Sequence, residues 1–244
     1  MTSTPTVGFI YPDHAAEDDY PLAASWLDAS FPVAHIYGTD LHAVPELLDL
    51  GSPARLAEGA RLLARHGPAA VVWACTSGSF VYGPEGAEEQ VATLEEATGV
   101  PTSSTSRAYL AALSALGMRK VAVAASYPDG VARLFVDYLA SAGVEVVSFS
   151  SAGIATAAEV GTLTPAQVTA LVTGNDHPEA EALLVPDTAM RTLAVLPDLE
   201  SGLGKPVLTA NQVTIWEGLR LAGTPRYSAR LGTLFAERMA DAGR

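Results

Sequence analysis

Six apolar runs of six or seven residues alternate along this chain with six stretches of helical periodicity, and each helical stretch ends at a glycine. The runs cover residues 6–11, 69–75, 120–126, 144–150, 180–186 and 205–210. The helical stretches cover 58–67, 87–99, 107–117, 129–143, 164–174 and 212–223. Runs without polar alternation suit strands buried on both faces, and the helices between them supply the cover. Glycine closes such helices because it enters the left-handed conformation without a Cβ penalty. Thr164, just ahead of Pro165, stands where an N-cap is expected. The fold class this predicts is α/β, with parallel sheets flanked by helices.

The pattern also repeats. "VGFIYPD" (7–13) is answered by "VAVAASYPD" (121–129), and "AAVVWACTSGS" (69–79) by "AEALLVPDTAM" (180–190). "GVPTSSTSRAYLAALSALG" (99–117) is answered by "GKPVLTANQVTIWEGLRLAG" (204–223), and the order is the same in both halves. Three matches in order predict two similar lobes, 1–117 and 118–223, with a C-terminal helix in 224–244 packing back on the first. Open parallel sheets bind ligands beyond the carboxyl ends of their strands. Tyr11, Cys75, Thr105, Tyr127, Asp187 and Asn211 all follow predicted strands. A cleft between the lobes would gather them, with Cys75 and Asp187 at equivalent stations.

The formal net charge of −13 opposes binding to a phosphate backbone or an anionic membrane surface. No apolar run reaches the roughly 20 residues a bilayer requires, and residues 1–6 show no secretory pattern. One cysteine cannot form an internal disulfide, which fits a reducing cytoplasm. The expected partner is a small carboxylate, held by backbone N–H groups and hydroxyls; self-association into a homo-oligomer is left open.

Position alone leaves Cys75 evenly balanced. It is either a thiol activated by the N–H groups of a following helix, or a small apolar residue of the core. Asp187 is either a cap or a functional acid or base, and position favours the cap. Tyr127 is a hydrogen-bonding phenol or part of the lobe interface, Pro12 a turn former at the cleft, and Asn211 a carboxylate ligand or a helix cap. His14 follows the first strand within reach of the cleft, whereas His35, His42, His66 and His177 read as surface or loop residues. No pair of histidines has metal-ligand spacing, and no dinucleotide, P-loop or nucleophile-elbow motif is present. Chemistry without metal or cofactor is the simplest expectation.

The stretches "GFIYPD", "ACTSGSF", "SYPDGVARL", "SSAGIATAAEVG" and "TANQVTIWEGLRLAG" together resemble the aspartate/glutamate racemase superfamily. The resemblance is to its branch with maleate cis-trans isomerase and arylmalonate decarboxylase, and it runs from about residue 7 to 223. It implies two pseudo-symmetric lobes, a cleft between them and no cofactor. Racemases of this kind carry a thiol on each lobe. In the isomerases the first-lobe cysteine adds to the double bond. In the decarboxylase the first position is glycine, and the second-lobe cysteine protonates an enediolate. Carried onto this chain, Cys75 is the first-lobe thiol, and Thr76, Ser77 and Tyr127 match carboxylate-holding positions. Asn211 matches the asparagine of the second-lobe turn, and Pro12 and Thr188 join the substrate-binding set. The departure is Asp187, which stands where the second thiol is usual. The resulting expectation is a maleate-isomerase-like enzyme in which Cys75 adds to the alkene and Asp187 handles the proton. The alternatives are a racemase, epimerase or decarboxylase using the Cys75/Asp187 pair, and a non-catalytic carboxylate-binding or ectoine-utilisation accessory protein.

Overall fold

A computed structural model describes residues 4–12 and 15–237. Its strands are β1 (Val7–Pro12), β2 (Val33–Ile36), β3 (Ala70–Trp73), β4 (Thr102–Ser104), β5 (Lys120–Ala125), β6 (Glu145–Ser151), β7 (Ala182–Val185) and β8 (Val207–Thr209). Its helices are α1 (Asp19–Leu27), α2 (Val44–Leu50), α3 (Pro53–Ala64), α4 (Ser77–Phe80), α5 (Gly83–Thr98), α6 (Thr105–Leu116), α7 (Asp129–Ser141), α8 (Ala157–Val160), α9 (Pro165–Thr173), α10 (Leu196–Leu203) and α11 (Ala210–Leu221).

The strands form two four-stranded parallel sheets with orders β2-β1-β3-β4 and β6-β5-β7-β8. Each order places the second-half strand at the same position as its first-half counterpart. The inner strands β1, β3 and β7 are buried along their whole length, and β5 is exposed only at Lys120, as apolar runs without alternation require. The edge strand β6 is half-buried. Helices α5 and α6 end at Gly99 and Gly117, with φ of 69° and 72°. Thr164 caps α9 and forms a reciprocal capping box with Gln167.

All strands of the first sheet precede residue 105 and all strands of the second follow residue 119. The helices do not divide there. α11, expected in the second lobe, lies across the first sheet, and a Cβ on its Gly218 would stand 2.5 Å from Val7 Cγ1. Conversely Tyr109 of α6 donates its hydroxyl to the Val185 carbonyl at the end of β7, at 2.6 Å. α11 thus crosses to the first sheet, Tyr109 ties α6 to the end of β7, and one apolar cluster runs through both sheets. The expected C-terminal helix is, over its described part, two 3-10 turns at Ala229–Leu231 and Thr233–Phe235. They pack on α10 and α11, where Glu200 accepts from Thr233 N–H at 2.8 Å and Gln212 donates to the Leu231 carbonyl at 2.8 Å, and Arg230 lies over the Trp26 ring of α1 in the first lobe. No helix among the described residues is long and apolar enough to cross a membrane.

Candidate active site

Cys75 stands two residues past the end of β3, and Asp187 two residues past the end of β7. Both strands are third in their sheets. The two side chains line one cavity, with Pro12 and Ser77 on one side and Thr188 and Ala189 on the other. Residues 39–42 also line it, and it encloses about 20 Å³, room for about one water.

The thiol is fixed by the short helix that follows it. Gly78 donates its N–H to Cys75 Sγ at 3.3 Å, and the Ser77 hydroxyl lies 3.8 Å away. Only glycine fits at 78, because a Cβ there would lie 2.9 Å from the Trp73 ring and 3.1 Å from the sulfur. The helix is tied down from several sides. Ser106 donates to the Thr76 carbonyl at 2.8 Å, Ser79 to Ser104 at 2.8 Å, and Gln90 to the Gly78 carbonyl at 2.9 Å.

Sequence reasoning expects a helix N-terminus to lower the thiol pKa. In the structure α4 spans only four residues, and Cys75 is buried to 4% exposure. Burial dominates and pushes the thiol up to about 11. The Gly78 N–H and the Ser77 hydroxyl offset it in part, and the Asp187 charge adds to it. The resting thiol keeps its proton.

Asp187 accepts from the Ser126 hydroxyl and, at 2.9 Å, from the Ala189 N–H. The capping reading is thus met in altered form: Asp187 caps a turn at 188–190, while the next helix starts only at Leu196. Both carboxylate oxygens are engaged by their own half, which turns the charge partly away from the cavity.

The remaining expected residues divide. Pro12, Ser77 and Thr188 line the cavity. Thr76 is fully buried, and its hydroxyl has no hydrogen-bond partner. Tyr127 and Asn211 are not among the residues that line the cavity. Tyr127 donates its hydroxyl to the Pro186 carbonyl, and its ring packs edge-on against Phe80. Asn211 gives its amide to Asp19 at 2.9 Å and to the Thr188 carbonyl at 3.2 Å. They hold the turns that carry Asp187 and Thr188. His14 lies outside the described residues. His42, read from sequence as a surface or loop residue, is buried and borders the cavity. Among the described residues no three His, Cys, Asp or Glu side chains cluster as metal ligands would.

The arylmalonate decarboxylase family model matches residues 50–235. The chain belongs to this family. An arylmalonate decarboxylase of Bordetella bronchiseptica is 31% identical over 234 residues, 91% of this chain and 92% of that protein. A maleate isomerase of Geobacillus stearothermophilus is 26% identical over 172 residues, 68% of each. A crystal structure of a Nocardia farcinica maleate cis-trans isomerase mutant has a TM-score of 0.83 at 23% identity, covering 91% of this chain and 94% of that one. The same two-sheet architecture therefore serves both kinds of relative. The chain thus lies in the branch of the aspartate/glutamate racemase superfamily that holds arylmalonate decarboxylase and maleate isomerase.

Proposed function

We propose that the chain is a cofactor-independent cis-trans isomerase of a small unsaturated dicarboxylic acid, with maleate the concrete candidate. The observation that carries this reading is the pairing of Cys75 and Asp187 across one cavity, a protonated thiol opposite a carboxylate. Asp187 takes the thiol proton as sulfur adds to one alkene carbon, then delivers it to the neighbouring carbon. The former double bond is now single and rotates. After rotation the other hydrogen of that carbon faces Asp187 and leaves to it, the carbon–sulfur bond breaks, and that proton passes to sulfur. No electrons are gained or lost overall. In this reading the Ser77 hydroxyl, which lines the cavity, and the neighbouring buried Thr76 hydroxyl hold one carboxylate. The maleate isomerase relative supports the reading. So does the Nocardia structure, which carries a covalently bound succinylcysteine intermediate, the kind of adduct this addition would leave on Cys75.

A second reading is decarboxylation, with Cys75 protonating the carbanion left by loss of carbon dioxide. The family model, the 31% relative and the retained thiol proton favour it. Against it stands the carboxylate in the lining. Expelling a carboxylate is helped by apolar, dry surroundings; Leu41, Leu47 and Leu50 supply them here, but Asp40 and Asp187 border the same cavity.

One assay separates the two. Incubation with maleate should give fumarate without carbon dioxide, and intact mass should show Cys75 heavier by one whole substrate molecule. Carbon dioxide from an arylmalonate with no fumarate from maleate would install the decarboxylase reading. Full turnover by Cys75→Ser would remove both.

A further inference from the structure

His42 borders the cavity yet has no part in the chemistry above. It sits on the segment that crosses from the first half to the second. Its N–H donates to the Ala155 carbonyl at 2.7 Å, and the Asp40 carbonyl accepts from Ala157 N–H at 2.7 Å. Leu41 forms an antiparallel bridge with Thr156. The side chain is only 7% exposed. Its ring stands edge-on to Tyr127, at 4.9 Å and 87°, and Nδ1 lies 3.2 Å from the Ile154 carbonyl. A carbonyl only accepts, so Nδ1 carries a hydrogen. Among the described residues Nε2 has no hydrogen-bond partner, and His42 lines the cavity that holds Cys75 and Asp187.

A ring held this way has one nitrogen to offer a ligand. Neutral, Nε2 accepts; protonated, it donates and brings a positive charge. The lining decides between these. Among the described residues it contains two carboxylates, Asp40 and Asp187, and neither lysine nor arginine. A substrate with two carboxylates would meet like charge there. Among the described lining residues His42 is the side chain able to become a cation. The titratable groups lining the cavity or touching its ring are Asp40 on its own segment and Cys75, Tyr127 and Asp187 around the cavity.

We propose that His42 binds the second carboxylate of a dicarboxylic substrate through Nε2, taking up one proton from solvent as that substrate binds. This rests on the carboxylate-substrate reading above, in which Thr76 and Ser77 hold the first carboxylate. His42 then selects dicarboxylates over acids of the same size with one charge, and it anchors one end while the other rotates.

The test is isothermal titration calorimetry with succinate, which has no double bond to react, and with succinamate, its singly charged counterpart. Two buffers of different ionisation enthalpy report proton uptake. The wild type should bind succinate more tightly than succinamate, with uptake of about one proton. His42→Gln should lose roughly tenfold or more in succinate affinity together with the proton uptake, leaving succinamate nearly unchanged. Equal losses for both ligands, or succinate binding unchanged in affinity and proton uptake, would overturn the proposal. The wild-type proton count and a His42→Asn variant keep the test decisive if His42→Gln folds poorly. Failure to isomerise maleate with the expected succinate behaviour would remove the isomerase reading and leave His42 standing. Normal isomerisation with His42-independent succinate binding would remove the His42 proposal alone.

Discussion

Asn211, at the start of α11, gives its side-chain amide over 2.9 Å to Asp19, at the start of α1. The same amide reaches the Thr188 carbonyl at 3.2 Å, and Tyr11 donates to that carbonyl at 2.7 Å. Thr192 N–H also points to Asp19, at 3.3 Å. The turn that carries Asp187 and Thr188 is therefore anchored to helix and strand ends of the first half. Chain topology puts Cys75 and Asp187 at matching strand ends, and this network sets how the second end faces the first.

Asp19 makes that anchor sensitive to pH. Burial raises its carboxyl to about 6, offset in part by the Asn211 bond and by Thr192 N–H. The folded state thus holds the proton more tightly than the unfolded chain, whose carboxyl titrates near the usual value of about 4. The stabilisation is fully present below about pH 4 and is lost as pH rises through about 6, on the order of 3 kcal/mol in all. Asp19→Asn mimics the protonated form. Its stability relative to the wild type should climb across that window and then level off, in urea denaturation at stepped pH. A flat difference would mean that Asp19 is not a desolvated carboxylate.

Cys75 should react slowly with iodoacetamide near neutral pH, and the rate should climb with pH toward about 11. The Asp187 charge is one of the causes holding the thiol up, after burial. Asp187→Asn should therefore alkylate several-fold faster at a fixed pH. Stopped kinetics followed by peptide mass spectrometry would read both. Fast labelling of the wild type at neutral pH would mean a thiolate at rest and would call for a different first step.

The inner strands are legible in the sequence because β1, β3, β5 and β7 are apolar almost throughout, and the internal repeat aligns Cys75 with Asp187. Other features left no local signal. β2 is a four-residue edge strand with exposed His35, and α1 contains Pro21, so neither shows a clean period. The burial of His42 comes from Ile154 and Ala155, more than a hundred residues away. The crossing of α11 onto the first sheet is likewise a tertiary choice, because its apolar positions would suit either sheet. The ionisation of Cys75 was misjudged because burial outweighs the donors of a four-residue helix.

Gly218→Ala tests that crossing. The added Cβ would stand 2.5 Å from Val7 Cγ1, 3.3 Å from Val72 Cγ2 and 3.5 Å from Phe9 Cε1. Alanine gains up to about 1 kcal/mol in helix propensity, and overpacking a core contact costs about 1–3 kcal/mol. The net expectation is a loss, read as a lower melting temperature. A gain near the propensity value would show that α11 does not press on β1.

Thr76→Val separates binding from stability. The Thr76 hydroxyl is buried without a partner, which costs the free protein about 1–3 kcal/mol relative to a satisfied group. Valine keeps the shape and removes that oxygen, so the variant should melt at the same temperature or higher. If the hydroxyl donates to a substrate carboxylate, the same change should weaken binding by roughly tenfold. Calorimetry with succinate beside a thermal melt reads both quantities on one sample. Weaker binding with undiminished stability would assign the hydroxyl to the ligand. A drop in stability with unchanged binding would assign it to the fold, and the carboxylate site would then rest on Ser77 and the backbone of α4.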